Sequence, residues 1–208
     1  MDHRDVQAAV AEMLEVLGPR TGEDWTVPAG PLEWSCRQTA SHIGHDLLAY
    51  AGQLAARPVD AYLPFDLRVR PTASPAEALQ VAAACGGLLG SALATADPSL
   101  RAWHWGPCDP AGFAAMGVAE ILLHTHDITL GLGADWLPPA PLCAAVLDRL
   151  FPDAPPDEPV RVLLWCTGRG DLDALPRRTS WTWKAARPDR APTSGGGSRR
   201  GRRTGPGA

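Results

Sequence analysis

Three stretches of the chain open on a helix-capping residue and then run on for five turns or more with no interior proline. Little except a bundle of long helices accommodates that pattern. The first is Ser35-Cys36-Arg37-Gln38, which has the form of a capping box. In such a box the serine hydroxyl and the glutamine three residues on each satisfy the other's backbone N–H. It opens a helix expected to reach about Ala56, before Arg57-Pro58. Ser74-Pro75-Ala76-Glu77 adds a proline at the first helical position, with the helix running to Thr95 and stopped by Asp97-Pro98. Asp109-Pro110 repeats the start signal for a helix ending near Leu130, ahead of Gly131 and Gly133. An earlier helix is marked by Val6, Val10, Met13, Leu14 and Leu17 at helical spacing and closed by Gly18-Pro19. A fifth is expected from Pro141 to Phe151. Val160 to Cys166 is apolar but too short for periodicity to tell helix from strand.

Strand signals are few, so the expected fold is all-α, a four-helix bundle with a short C-terminal extension. The expected organisation is a bundle over residues 1–155, a short segment over 156–186 packing on it, and a disordered Arg/Gly-rich tail over 187–208. With 208 residues and 45% hydrophobic content, the chain can bury one ordinary core. The formal charge of −4 is uneven: six arginines and one aspartate give residues 187–208 a charge of +5, leaving −9 on the rest. An acidic folded part argues against nucleic-acid binding there. Only the tail, with Arg199-Arg200-Gly201-Arg202-Arg203, has the charge for it, and a solvated extension is the simpler expectation. Cys36, Cys85, Cys108, Cys143 and Cys166 form no C-x-x-C pair and read as reduced, buried small hydrophobes of a cytoplasmic protein. The polar start Met1-Asp2-His3-Arg4-Asp5 does not read as a signal peptide. The uncharged run Ala78 to Ala96 is rich in Ala and Gly and reads as a buried bundle helix, not a membrane span.

Chemistry concentrates on the second and fourth helices. At 100° per residue, Glu120, His124 and Asp127 share one stripe, continued by Phe113 and Met116. A buried Glu and His one turn apart are costly unless paired or bound to a metal. Such a pair can present a carboxylate oxygen and an imidazole nitrogen to one ion, with His42 on the second helix the best candidate for a third ligand. Three protein ligands leave a position open for water or substrate, as in catalytic zinc sites. Asp127 or Asp46 could orient a ligating imidazole. The plain alternative is a satisfied core hydrogen bond between Glu120 and His124 with no metal. His45 reads as solvated, His3 and His104 as structural or exposed, and His126 points about 120° away from Glu120.

The segment Trp34-Ser-x-Arg-x4-His42-Ile-x2-His45-Asp46 resembles the second-helix motif of the mycothiol-dependent maleylpyruvate isomerase family, within the DinB/YfiT-like metal-binding bundles. Ala119-Glu120-Ile121-Leu122-Leu123-His124-x2-Asp127-Ile128 resembles its fourth-helix motif, and Leu163 to Gly170 the end of its domain. The resemblance implies that His42, Glu120 and His124 are metal ligands. It also implies a divalent metal such as zinc, mycothiol as thiol cosubstrate, and an electrophilic small molecule as partner. The thiolate would add to a double bond and leave in an isomerase, or stay attached in an S-transferase. Homodimers occur among such bundles. The family's isomerases carry a second, C-terminal domain, whereas a short segment and the tail follow the bundle here, so the expected substrate is left open. The alternative from a different class is a non-catalytic metal-binding bundle with a regulatory or stress role.

Overall fold

The computed structural model describes residues 1–173 and 175–186. Among them the chain is all-α apart from one small hairpin. The helices are α1 (His3–Leu17), α2 (Cys36–Ala56), α3 (Pro75–Thr95), α4 (Pro110–Gly131), α5 (Ala140–Leu150) and α6 (Pro159–Cys166). Strands β1 (Ala102–Trp103) and β2 (Pro107–Cys108) pair antiparallel between α3 and α4.

Local chemistry explains most of the helix ends. Both expected capping boxes form, Ser35 with Gln38 and Ser74 with Glu77. Asp109 accepts from the Gly112 N–H at 2.8 Å and so caps α4. A third box explains why α1 starts before Val6: Asp2 accepts from Arg4 N, and the Asp5 carboxylate accepts from Asp2 N at 2.8 Å. The buried stripe of α1 is Val6, Ala9, Met13 and Leu17, while Leu14 falls off it and is exposed. The ambiguous apolar segment is helical. Glu158 caps α6 by accepting from Val160 N and Arg161 N, and Pro159 occupies its first position.

α1 and α2 each pack against both α3 and α4, so the first two helices stand across the diagonal of the bundle. α5 covers another side of α4, and α6 packs on α5. Every residue of α4 from Gly112 to Thr129 is consequently buried. This corrects the expectation of a single buried stripe. Apart from Glu120 and Asp127 the helix carries no formally charged side chain, and a helix that is apolar all round belongs in the centre. Gly131 lets the loop before α2 lie against the end of α4. A Cβ there would stand 2.3 Å from Pro28 O and 2.8 Å from Cys36 Sγ.

α3 is long and apolar enough to cross a membrane by length and composition. In this fold Ala78, Ala82, Cys85, Leu89 and Leu93 are buried along one face of it. The five cysteines are buried and unpaired.

Two buried polar side chains tie the connections to the helices. Gln53 of α2 donates to Trp103 O at 2.7 Å and Ala61 O at 3.2 Å and accepts from Leu63 N at 3.1 Å, clamping the hairpin and the residues after α2. Arg149 of α5 pairs with Asp109 at 2.7 Å and donates to Ala185 O at 2.8 Å, holding the returning C-terminal strand of chain on the bundle. The Arg/Gly-rich stretch 187–208, with its expected disorder, lies outside the described residues.

Candidate metal centre

The periodicity of α4 sets Glu120 and His124 one turn apart, with His124 Nε2 3.2 Å from Glu120 Oε2. The other ring nitrogen, Nδ1, lies 3.0 Å from Asp127 Oδ2. Asp127 is fully buried and is gripped from its far side by Arg169, Nε to Oδ1 at 2.9 Å and Nη2 to Oδ2 at 2.6 Å. Arg169 reaches it because the chain turns sharply after α6. Gly168 takes φ 71°, and Arg169 N donates to Leu164 O at 2.7 Å. The row Arg169–Asp127–His124 fixes the imidazole plane and leaves Nε2 facing Glu120.

α2 brings His42 to the same place, its ring centroid 5.0 Å from that of His124. One donor atom from each of His42, Glu120 and His124 lies within 4.8 Å of the other two. Around a tetrahedral zinc with bonds near 2.0–2.1 Å, neighbouring donors stand roughly 3.3 Å apart. The 3.2 Å between His124 Nε2 and Glu120 Oε2 matches that spacing. Asp46 stands beside the cluster, Oδ2 3.2 Å from His42 Nε2. The structure thus brings together all five residues singled out in the sequence.

The charges make the same point. With its carboxylates ionised and imidazoles neutral, the group sets Glu120, Asp46 and Asp127 against Arg169 alone, a surplus of two negative charges. Burial opposes an imidazolium at His124, but hydrogen bonds to Asp127 and Glu120 prevail and raise it to about 9. Burial works against charge on Glu120 too, yet His124 holds it below the usual carboxylate range. Asp127 is likewise held low by His124 and Arg169 against its burial. Burial, with Glu120 nearby, pushes Asp46 up to about 8. Burial, with His124 adding to it, pushes His42 down to about 4. Without a metal the site therefore keeps protons at His124 and Asp46. A divalent cation supplies the same two positive charges in one ion, and an N,N,O donor set suits zinc.

Tyr50 carries no sequence signal, and Trp34 and Arg169 lie in segments that carry the family resemblance without a role of their own read from them. The Tyr50 hydroxyl donates to Glu120 Oε1 at 3.3 Å. The Trp34 indole packs edge-on against His42 at 4.7 Å. Arg169 is 42 residues from its partner Asp127. His45 is not simply solvated: it accepts from Leu67 N at 3.2 Å. His104 is buried and hydrogen-bonded to the Tyr62 hydroxyl. His126 donates from Nδ1 to Trp136 O at 3.3 Å, away from the cluster.

Cavities open on two sides of the centre. One of about 450 Å³ is lined by His42, Glu120 and His124 and by Trp34, Arg169, Trp181 and Trp183. The other, about 590 Å³, is more polar, with Asp46, Tyr50, Gln53, Tyr62 and Asp66 among its walls.

Fold and site together define a helical bundle with a His–Glu–His cluster, buried at Glu120 and His124 and half-buried at His42, between its second and fourth helices. Residues 6–129 match the mycothiol maleylpyruvate isomerase N-terminal domain, and the chain belongs to that family. No curated protein and no solved structure matches it.

Proposed function

We propose that His42, Glu120 and His124 hold a divalent cation, zinc fitting best, and that the protein is a mycothiol-dependent enzyme of the cytoplasm. It would act as an isomerase or S-transferase on an electrophilic small molecule. The observation that carries this reading is the convergence of the three donors, with the far nitrogen of His124 pinned by Asp127 and Arg169. Bound there, the cation would supply Lewis acidity, favouring the thiolate over the thiol of a bound cosubstrate at neutral pH.

The chain's own residues do the rest. Tyr50 holds one oxygen of Glu120 and leaves the other toward His124. Arg169 and Asp127 hold the His124 ring in one tautomer, with its proton on Nδ1. Asp46, beside His42, would give up its own proton when the cation is bound and is then the carboxylate placed to take a proton released at the site. The polar cavity beside Tyr50 suits the hydroxyl-bearing part of the thiol, and the cavity under Trp34 admits the electrophile. The thiol must come from outside. Burial raises all five cysteines, Cys36 to about 11 and Cys108 and Cys143 to about 12, so the chain offers no ready thiolate of its own.

The test is a conjugation screen. Zinc-loaded protein is mixed with mycothiol and a panel of electrophiles, with free thiol and product followed over time. Catalysed consumption that vanishes on chelation is expected. Saturable mycothiol binding with no turnover on any electrophile would favour the non-catalytic bundle.

A further inference from the structure

A third cavity, of about 610 Å³, lies between the tip of the β1–β2 hairpin and the C-terminal strand of chain, walled by His104, Trp105, Thr182 and the indoles of Trp181 and Trp183. The same two indoles line the cavity that contains His42, Glu120 and His124. We propose that this aromatic cleft seats the electrophilic substrate, a molecule with an uncharged planar aromatic ring whose reactive carbon faces the metal centre. This proposal rests on the functional reading above and deepens it: the ring lies in this cleft and the reactive carbon in the adjoining cavity under Trp34, the two sharing Trp181 and Trp183 as walls.

Three observations carry it. First, among the described residues no formally charged side chain lines the cleft, and burial lowers His104 to about 4, which keeps it neutral. Against those five walls a charged ligand would be desolvated without a charged partner. Second, the walls are aromatic from both sides. Trp181 and Trp183 meet edge to face at 5.2 Å, and Trp103 and Trp105 are tilted at 5.3 Å on the hairpin. Offset and edge-on contacts to a ring are what such walls offer.

Third, Trp105 is held where its own burial gives no reason for it. It takes φ 54°, a left-handed conformation that a bulky residue rarely adopts, and its side chain is 80% exposed. The hairpin beneath it is fastened, with Trp103 N donating to Pro58 O at 2.8 Å and Gln53 donating to Trp103 O at 2.7 Å. An uncovered indole carried on a fastened hairpin at the mouth of an apolar cleft offers a ring face for stacking. Its volume lies within the range for small-molecule sites.

The test uses the full chain and two unreactive probes of similar size, benzyl alcohol and cyclohexylmethanol, titrated calorimetrically. One saturable site for the aromatic alcohol is expected, at least tenfold tighter than for the aliphatic one. Trp105→Asn keeps a side chain tolerant of positive φ, and Trp183→Leu keeps an apolar wall. Each should weaken the aromatic probe about tenfold with an unchanged circular dichroism spectrum. His124→Ala should lose the metal and keep the probe, so the cleft and the metal centre are read separately. Equal affinity for the two alcohols, no saturable binding, or full affinity in both tryptophan variants would overturn the proposal.

Discussion

Arg169→Met removes the guanidinium that closes the row behind His124 while keeping a long apolar stem. Asp127 has no exposed surface, and Arg169 supplies two of its charge-assisted hydrogen bonds, at 2.9 and 2.6 Å. Breaking a buried ion pair from one side typically costs about 3–5 kcal/mol, because the remaining charge stays buried. The surviving contact to His124 at 3.0 Å puts this case near the lower end, about 3 kcal/mol. In a chain of this size each kcal/mol moves Tm by about 2–4 °C, so a fall of roughly 6–12 °C is expected by thermal unfolding. The effect should depend on pH in a defined direction. Asp127 titrates below its ordinary value of 3.8 in the folded state, so its contribution is present above pH 3.8 and is lost as pH falls through the depressed value. The difference between wild type and variant should therefore be full at pH 6 and shrink in strong acid. Zinc affinity should fall by about 10–100-fold, the usual consequence of losing an outer partner of a metal-ligating histidine. A Tm within about 2 °C of wild type, together with unchanged zinc affinity, would refute the claim that Arg169 positions His124 through Asp127.

Other consequences can be checked together. Tyr50→Phe should keep the fold and weaken zinc by about tenfold in a competition titration, since Glu120 loses its hydroxyl donor. Gly131→Ala should destabilise by about 2–3 kcal/mol in urea unfolding, because the added methyl meets the Pro28 carbonyl and no rotamer change relieves a backbone clash. Metal-free protein should lose stability between about pH 6.5 and 9. His124 is raised to about 9 from 6.5, so its contribution is full below pH 6.5 and disappears as pH climbs through the folded value. Zinc affinity should rise over the same window as the proton leaves the ligand, which proton-release calorimetry would show.

Helix placement was legible because it is encoded locally. The Ser35–Gln38 and Ser74–Glu77 boxes and the Asp109 cap each act over three residues, and a single chain of letters displays them. The Glu120–His124–Asp127 stripe was legible for the same reason, being one turn of helix repeated. What was not legible depends on distance in the chain. Arg169 meets Asp127 only because α5 and α6 fold back, and nothing in the letters near either residue announces it. Tyr50 reads as one more core aromatic of α2 until α4 is laid beside it. The β1–β2 hairpin spans two residues a side and is held by Gln53 from another element, so no strand pattern marks it. The total burial of α4 is written in its near absence of charge, which a single stripe of site residues does not display.

The central claim is that three side chains from two helices hold one ion. Metal content by elemental analysis, after zinc loading and desalting, tests it most directly. One zinc per chain is expected in the wild type and a near-total loss in His42→Ala, Glu120→Ala and His124→Ala, each folded by circular dichroism. Full stoichiometry in all three variants would contradict the account.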